Sequence, residues 1–188
     1  MQRLTEGIIL FHGRYCEVKE PDFSQCAAMR DFGRGFYLTT SEKQAEDFVR
    51  PSIRKAVAQG SISPNQNYGY VSRFEFYKKE DIAEYLFETA DKDWLHCVIG
   101  HRKNNTFPEI VEAMKKYDII GGKIANDQTN ITITTYLIGG YGDIGSTKAD
   151  DFCISQLIPE RLTDQYCFRT NKALDCIKFS GSERIWIR

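Results

Sequence analysis

The residues of this chain whose types and spacing suit chemistry fall in two short runs near its start. The first, Ile8-Ile9-Leu10-Phe11-His12-Gly13, is apolar and ends in a histidine and a glycine. The second, Asp31-Phe32-Gly33-Arg34-Gly35-Phe36-Tyr37-Leu38-Thr39-Thr40, is a Gly-x-Gly turn leading into a strand that carries a tyrosine. Histidine offers a donor or an acceptor near neutral pH, and glycine lets backbone approach a flat or charged ligand closely. Each piece alone is weak. The Gly33-Arg34-Gly35 turn invites a phosphate-loop reading, but no third glycine follows at dinucleotide-fold spacing and the Lys-Ser/Thr of a P-loop is missing. By itself His12 reads as a structural residue at a strand end. His96 and His101 lie five apart on or just after a predicted helix, which is not the spacing of a helical metal pair. None of the six cysteines sits at CxxC spacing, so no metal site is expected.

Several elements must position these runs. Gly7 to Phe11 reads as a buried strand and Gly35 to Thr39 as a second. Ser41-Glu42-Lys43-Gln44 has the form of a capping box, with Ser41 as cap and Gln44 reaching back. Ala45, Phe48 and Val49 give that helix its apolar face, and Pro51 predicts a kink or a restart running to Gly60. Tyr70 to Tyr77 alternates as a half-buried strand should. Short helices are predicted around Asp81 to Glu88, Asp93 to Ile99 and Pro108 to Lys116, with a strand over Asp118 to Ala125. Ile131 to Ile138 is ambiguous: β-branched content favours a strand, whereas Ile133, Tyr136 and Leu137 fit one helical face. A helix over Ser146 to Leu157, a strand over Gln165 to Arg169, a short helix near Lys172 to Cys176 and one or two strands from Ile177 to Ile187 complete the chain. Short strands that do not alternate regularly with helices predict an α+β class and argue against a doubly wound parallel sheet.

At 188 residues, with no linker or repeat, the chain is expected to form a single domain, 1–188. A net charge of −1 gives no argument for a nucleic-acid or membrane surface. The longest apolar run is too short to span a bilayer, and the N-terminus lacks the h-region of a signal peptide. The expectation is a cytoplasmic protein with reduced, mostly buried thiols.

Order and spacing together say more than each piece. Leu10-Phe11-His12-Gly13, then Phe32-Gly33-Arg34-Gly35-Phe36-Tyr37-Leu38, then Ser41 to Phe48, resembles the NAD-binding signature of ADP-ribosyltransferases of the diphtheria-toxin and poly(ADP-ribose)-polymerase type. Across Phe11 to Val49, Asp118 to Asp127 and Asp164 to Phe179 the chain also resembles an uncharacterised bacterial family of this fold, encoded beside a small antitoxin. The resemblance implies an ADP-ribosyltransferase-like fold, two small packed antiparallel sheets in a split β-sandwich with helices around them. It implies NAD as substrate. His12 would hydrogen-bond a ribose hydroxyl, the Gly13 backbone would meet the nicotinamide carboxamide, and Tyr37 and Phe48 would sandwich the nicotinamide ring, Phe48 standing where a tyrosine is usual. Gly35 belongs to the turn before Tyr37, and Arg14, Arg30 or Arg34 would face the pyrophosphate. A planar cation does prefer an electron-rich aromatic face.

The family's catalytic glutamate aligns with Gln165 in Asp164-Gln165-Tyr166-Cys167-Phe168. A carboxylate there holds a ribose hydroxyl, steadies an oxocarbenium-like transition state and can serve as base; glutamine keeps the hydrogen bond and loses charge and basicity. Three readings stay open. Gln165 suffices for mono-ADP-ribosylation; a nearby carboxylate, Asp127 or Asp164, takes over; or the site binds NAD or ADP-ribose without turnover. The leading expectation is an NAD-dependent mono-ADP-ribosyltransferase of His-Tyr-Gln type, catalytic through His12, Tyr37 and Gln165, that modifies a macromolecule as the toxin of a bacterial toxin–antitoxin pair. The alternatives are a non-catalytic NAD or ADP-ribose module and a structural or partner-binding domain.

Overall fold

A computed structural model describes residues 1–124, 127–158 and 161–187, with Asp127 and Gln128 described in backbone only. Seven strands form one sheet in the order β4-β5-β6-β2-β1-β3-β7: β1 (Ile9–Arg14), β2 (Phe36–Thr39), β3 (Tyr68–Phe76), β4 (Glu84–Leu86), β5 (Ile119–Lys123), β6 (Asp164–Phe168) and β7 (Ile177–Trp186). Among the described residues six α-helices accompany it: α1 (Glu42–Ala58), α2 (Lys92–Arg102), α3 (Pro108–Met114), α4 (Asp127–Leu137), α5 (Thr147–Leu157) and α6 (Asn171–Leu174). The class is α+β, as composition and pattern predict. All neighbouring strands are antiparallel except β4 and β5.

The expected pair of packed sheets is instead one mixed sheet. Its two parts, β4-β5-β6-β2 and β1-β3-β7, are joined by one register pair, Phe11 opposite Thr39. A single bridge makes the sheet continuous, yet the contrast with the six pairs between β1 and β3 marks this junction as the place where the strands part.

Burial explains the layers. One face of the sheet packs Leu10, Phe36, Leu38, Phe74, Phe76, Ile119, Tyr166 and Phe168 together. The other carries Ile120 and Cys167 against Phe32 and α2, which is buried continuously from Trp94 to Gly100 and so is the interior helix of this layer. His96 stacks on Phe107 at 3.8 Å and bonds Asp150 at 2.9 Å, and Tyr136 donates to the same carboxylate, tying α2, α4 and α5 together. A third cluster docks α1 on the sheet through Ala45, Val49, Ile53 and Val71.

Three local expectations change and one open reading is resolved. Glu84 to Leu86 is a strand, not a helix, because it pairs in parallel with Ile119 to Gly121. Ile131 to Leu137 is helical, with Ile133 and Tyr136 buried, so the helical spacing prevails over β-branched content. Helix α1 runs through Pro51 without a break; Asp47, whose carbonyl Pro51 cannot serve, is exposed and open to water. Only half of the capping box forms: Ser41 Oγ accepts from Gln44 N at 3.2 Å, while Gln44 Oε1 accepts from Thr163 Oγ1 at 3.1 Å instead of reaching back. All six cysteines are free thiols, and no helix among the described residues is long and apolar enough to cross a membrane.

Candidate functional site

His12 sits where β1 and β2 part, and its Nδ1 lies 2.8 Å from the carbonyl oxygen of Tyr37. A carbonyl only accepts, so Nδ1 must carry the proton and Nε2 is the acceptor of the neutral ring. The ring packs at 4.6 Å on Phe36. Burial pushes the His12 pKa down to about 4; the Tyr37 carbonyl opposes this, and the charges of Arg14 and Arg30 add to the depression. His12 is therefore an oriented, uncharged acceptor at neutral pH.

That state has a measurable consequence. The unfolded chain protonates His12 near its ordinary value of 6.5, whereas the folded chain does so only near 4. Stability is full above that ordinary value and falls as pH drops from it toward the folded one. The ring keeps some solvent contact, so the loss between about pH 7 and about pH 4.5 should be on the order of 2 kcal/mol, less than the full shift implies. Burial of His101 acts in the same direction. Urea unfolding of wild type and His12→Gln at both pH values measures the His12 share by difference; equal acid losses in the two proteins would refute a neutral buried ring.

Tyr37 is held at its far end. Its hydroxyl donates to Gly33 O at 2.8 Å and accepts from Phe32 N at 2.9 Å, closing the turn that precedes the strand. Gly33 has φ +80°, and a Cβ there would lie 2.7 Å from the His101 ring, so left-handed backbone and close approach both require glycine. At Gly35 a Cβ would meet Cys167 Sγ at 2.3 Å. Burial, then Cys167 and Asp31, holds the Tyr37 pKa well above the ordinary value. The phenol thus serves as a fixed neutral ring, not as an acid or base.

Phe48 leaves the apolar face assigned to it. The buried face of α1 is Ala45, Val49, Ile53 and Ala56, an i, i+4, i+8, i+11 row that Phe48 misses, and Phe48 is 46% exposed. Gly13 is buried and packs directly on the α1 backbone at Ala45.

Gln165 lies on β6 opposite Thr39 on one side and Gly122 on the other. Strand alternation puts its side chain on the same face of the sheet as Tyr37 and on the opposite face from His12. The three residues make no direct side-chain contact with one another among the described interactions; they are linked through the Tyr37 carbonyl and through the turn at residues 31–33. Gln165 is buried, and its Nε2 donates to Asp31 Oδ2 at 2.6 Å and to Lys123 O at 3.3 Å. Asp31 Oδ1 in turn accepts from Arg102 Nε at 2.8 Å and from Arg102 Nη2.

A protein-family model matches residues 8–179, which include every one of these residues. The chain belongs to the DUF3990 family. That family is described as a protein of unknown function. No curated protein matches the chain.

In this DUF3990 chain Asp164 is engaged structurally: Oδ1 takes Lys123 Nζ at 2.7 Å and Oδ2 accepts from Gln2 N at 2.7 Å. The side chain of Asp127 lies outside the described residues. Arg30 and Arg34 are exposed and Arg14 is part-buried. The charges of Arg14 and Arg30 act on His12, and those of Arg14 and Arg34 on Cys26. An open groove lined by Gly140, Tyr141, Thr147, Lys148, Asp151 and Phe152 contains none of the site residues. Sequence reading missed Asp31 and Arg102. Asp31 was visible as the first residue of the Gly-x-Gly run, but nothing local shows its side chain turning inward to meet a strand 134 positions later.

Proposed function

We propose that this chain is an NAD-dependent mono-ADP-ribosyltransferase of His-Tyr-Gln type with an ADP-ribosyltransferase-like fold, modifying a macromolecule as the toxin of a bacterial toxin–antitoxin pair. In that reaction the nicotinamide–ribose C–N bond breaks. The acceptor's nucleophilic atom bonds to the freed ribose carbon and gives up its proton, and nicotinamide leaves neutral. The observation that carries the reading is the bond from His12 Nδ1 to Tyr37 O. It joins the two halves of the signature at the sheet's narrowest junction and leaves Nε2 as a neutral acceptor suited to a ribose hydroxyl.

The other residues lie across the β1–β2 junction from the His12 ring, and each suits a further part of the same ligand. Buried Gly13 offers backbone without a side chain, and Tyr37, with exposed Phe48, supplies aromatic surface for a cationic ring. Gln165 supplies an amide acceptor and no base, so the acceptor molecule must carry a nucleophile that reacts without strong deprotonation. The same amide favours a second reading, a module that binds NAD or ADP-ribose without turnover.

Calorimetry with NAD, and nicotinamide release from biotinylated NAD in cell lysate, separate these. The enzyme should bind NAD, release nicotinamide and label an acceptor, and His12→Ala should lower release at least about tenfold, the equivalent of one lost hydrogen bond. Binding without release supports the second reading. No binding at about millimolar NAD, together with no release, overturns both.

A further inference from the structure

We propose that Asp31 is the positioning residue of Gln165: its carboxylate holds the amide with Nε2 inward, so that Oε1 is the atom offered to a ligand and the glutamine works as an acceptor-only group. The inference rests on the reading of the site given above. The amide orientation follows from its neighbours. Asp31 Oδ2 at 2.6 Å and Lys123 O at 3.3 Å both lie on the Nε2 side, and both only accept. A reversed amide would press Oε1 against a carboxylate oxygen and a carbonyl oxygen at once. Among the described residues Oε1 itself accepts no hydrogen bond.

Asp31 is held in turn. Arg102 grips Oδ1 through Nε and Nη2 and is steadied by Nη1 donating to Asn130 Oδ1 at 2.7 Å. The next residue, Phe32, gives its N–H to the Tyr37 hydroxyl at 2.9 Å. Trp94 Nε1 donates at 3.1 Å to the same Lys123 carbonyl that Gln165 uses. Asp31 and Gln165 are 7% and 6% exposed, so water competes little for either group. A carboxylate bonded to the N–H end of an amide polarises it and raises electron density on the carbonyl oxygen. Asp31 thereby returns to Gln165 part of the negative character that the glutamate-to-glutamine difference removes.

A corollary runs against the simple expectation that glutamate at this position restores a stronger enzyme. In Gln165→Glu two carboxylates would face each other at hydrogen-bond distance, and like charges so close cannot both ionise. The pair would hold a proton or spread apart, and either outcome spoils the acceptor. The reciprocal swap repairs the pattern. In Asp31→Asn/Gln165→Glu the introduced asparagine turns its oxygen to Arg102 and its N–H to the introduced carboxylate, which leaves a single opposition, to Lys123 O at the longer distance of 3.3 Å.

The test uses the full chain as wild type, Gln165→Glu, Asp31→Asn and the double variant. Nicotinamide release and thermal unfolding are read from about pH 5 to about pH 8. Release should fall at least about tenfold in either single variant, and the double should recover to within about threefold of wild type. The unfolding midpoint of Gln165→Glu should drop further below wild type as pH rises, and the double should abolish that slope. A Gln165→Glu protein as active as wild type, or a double variant no better than Gln165→Glu, overturns the proposal. If wild type neither binds nor consumes NAD, the functional reading fails by itself. The midpoints still decide the pair: a pH-dependent deficit cancelled by the double upholds it, and parallel profiles refute it.

Discussion

Gly13→Ala is expected to destabilise the protein by about 3 kcal/mol, at the upper end for overpacking, and to lower its Tm by roughly 6–12 °C. A Cβ at Gly13 would stand 1.8 Å from Ala45 O and 2.7 Å from Ala45 C. Both atoms are helix backbone, so no rotamer change can make room. Helix α1 would have to lift from β1, breaking the contact that Ala45, Val49 and Ile53 make with Val71. The lift would also displace Phe48, which rides on the same helix, so any NAD-induced rise in Tm should be lost with the stability. Gly60→Ala is the comparison. Its φ is +69° and nothing lies within 4 Å of the added Cβ, so it should cost only the left-handed strain of about 1–2 kcal/mol. Thermal and urea unfolding of the two variants check this, and a Gly13→Ala protein within about 2 °C of wild type would refute close packing of α1 on β1.

Arg102→Ala should be comparably damaging, for an electrostatic reason. The Asp31 side chain is 9% exposed and that of Arg102 20%. Truncating the arginine takes two N–H donors from a buried carboxylate and a third from Asn130. Removing one partner of a buried pair typically costs about 3–5 kcal/mol; because water reaches the guanidinium, about 3 kcal/mol is expected here. Arg102→Met/Asp31→Asn should be milder than Arg102→Ala, since it removes the charge together with its partner. A double-mutant cycle with urea unfolding measures the coupling, which should reach at least about 1 kcal/mol. A coupling near zero would mean that the pair contributes no more than an exposed ion pair.

The two proteins probe different halves of one arrangement. Gly13 sets the distance between β1 and the helix that carries Phe48. Arg102 sets the carboxylate that orients Gln165. Loss of nicotinamide release in both, with NAD binding lost mainly in Gly13→Ala, is the pattern expected if binding lies at the β1–β2 junction and orientation of the amide lies behind it.

Most of the elements were legible in the chain because they obey local rules. Ser41 announces α1 by its hydroxyl and does cap it. Phe74 and Phe76 alternate with Arg73 and Glu75 because that end of β3 packs one face into the core, whereas Gly69 and Val71 bury the opposite face under α1, which only the fold decides. Local rules failed where a distant partner decided the outcome. Glu84-Tyr85-Leu86 has no strong strand character and becomes a strand only because the edge of β5 accepts it. Phe48 reads as core by composition, yet the row that packs on Val71 passes it by. Two sheets were expected where one bridge, Phe11 to Thr39, makes a single one.

The same division holds at the site. Sequence by itself determined which residues stand near the start of the chain in an order and spacing that resembles a nicotinamide-binding signature, His12, Gly13, Gly33, Gly35 and Tyr37, because turn glycines and strand ends are local properties. It also set the identity of Gln165, and hence the absence of a carboxylate at that position. Only the tertiary structure decided the state of those groups. The neutrality of His12 comes from burial, which outweighs the opposing bond to a carbonyl on the neighbouring strand, and that bond fixes which ring nitrogen carries the proton. The orientation of Gln165 comes from Asp31, 134 residues earlier, and from Arg102 on a buried helix. Hydrogen-bond partners and desolvation are set by which surfaces meet, and no short-range pattern in a chain records that.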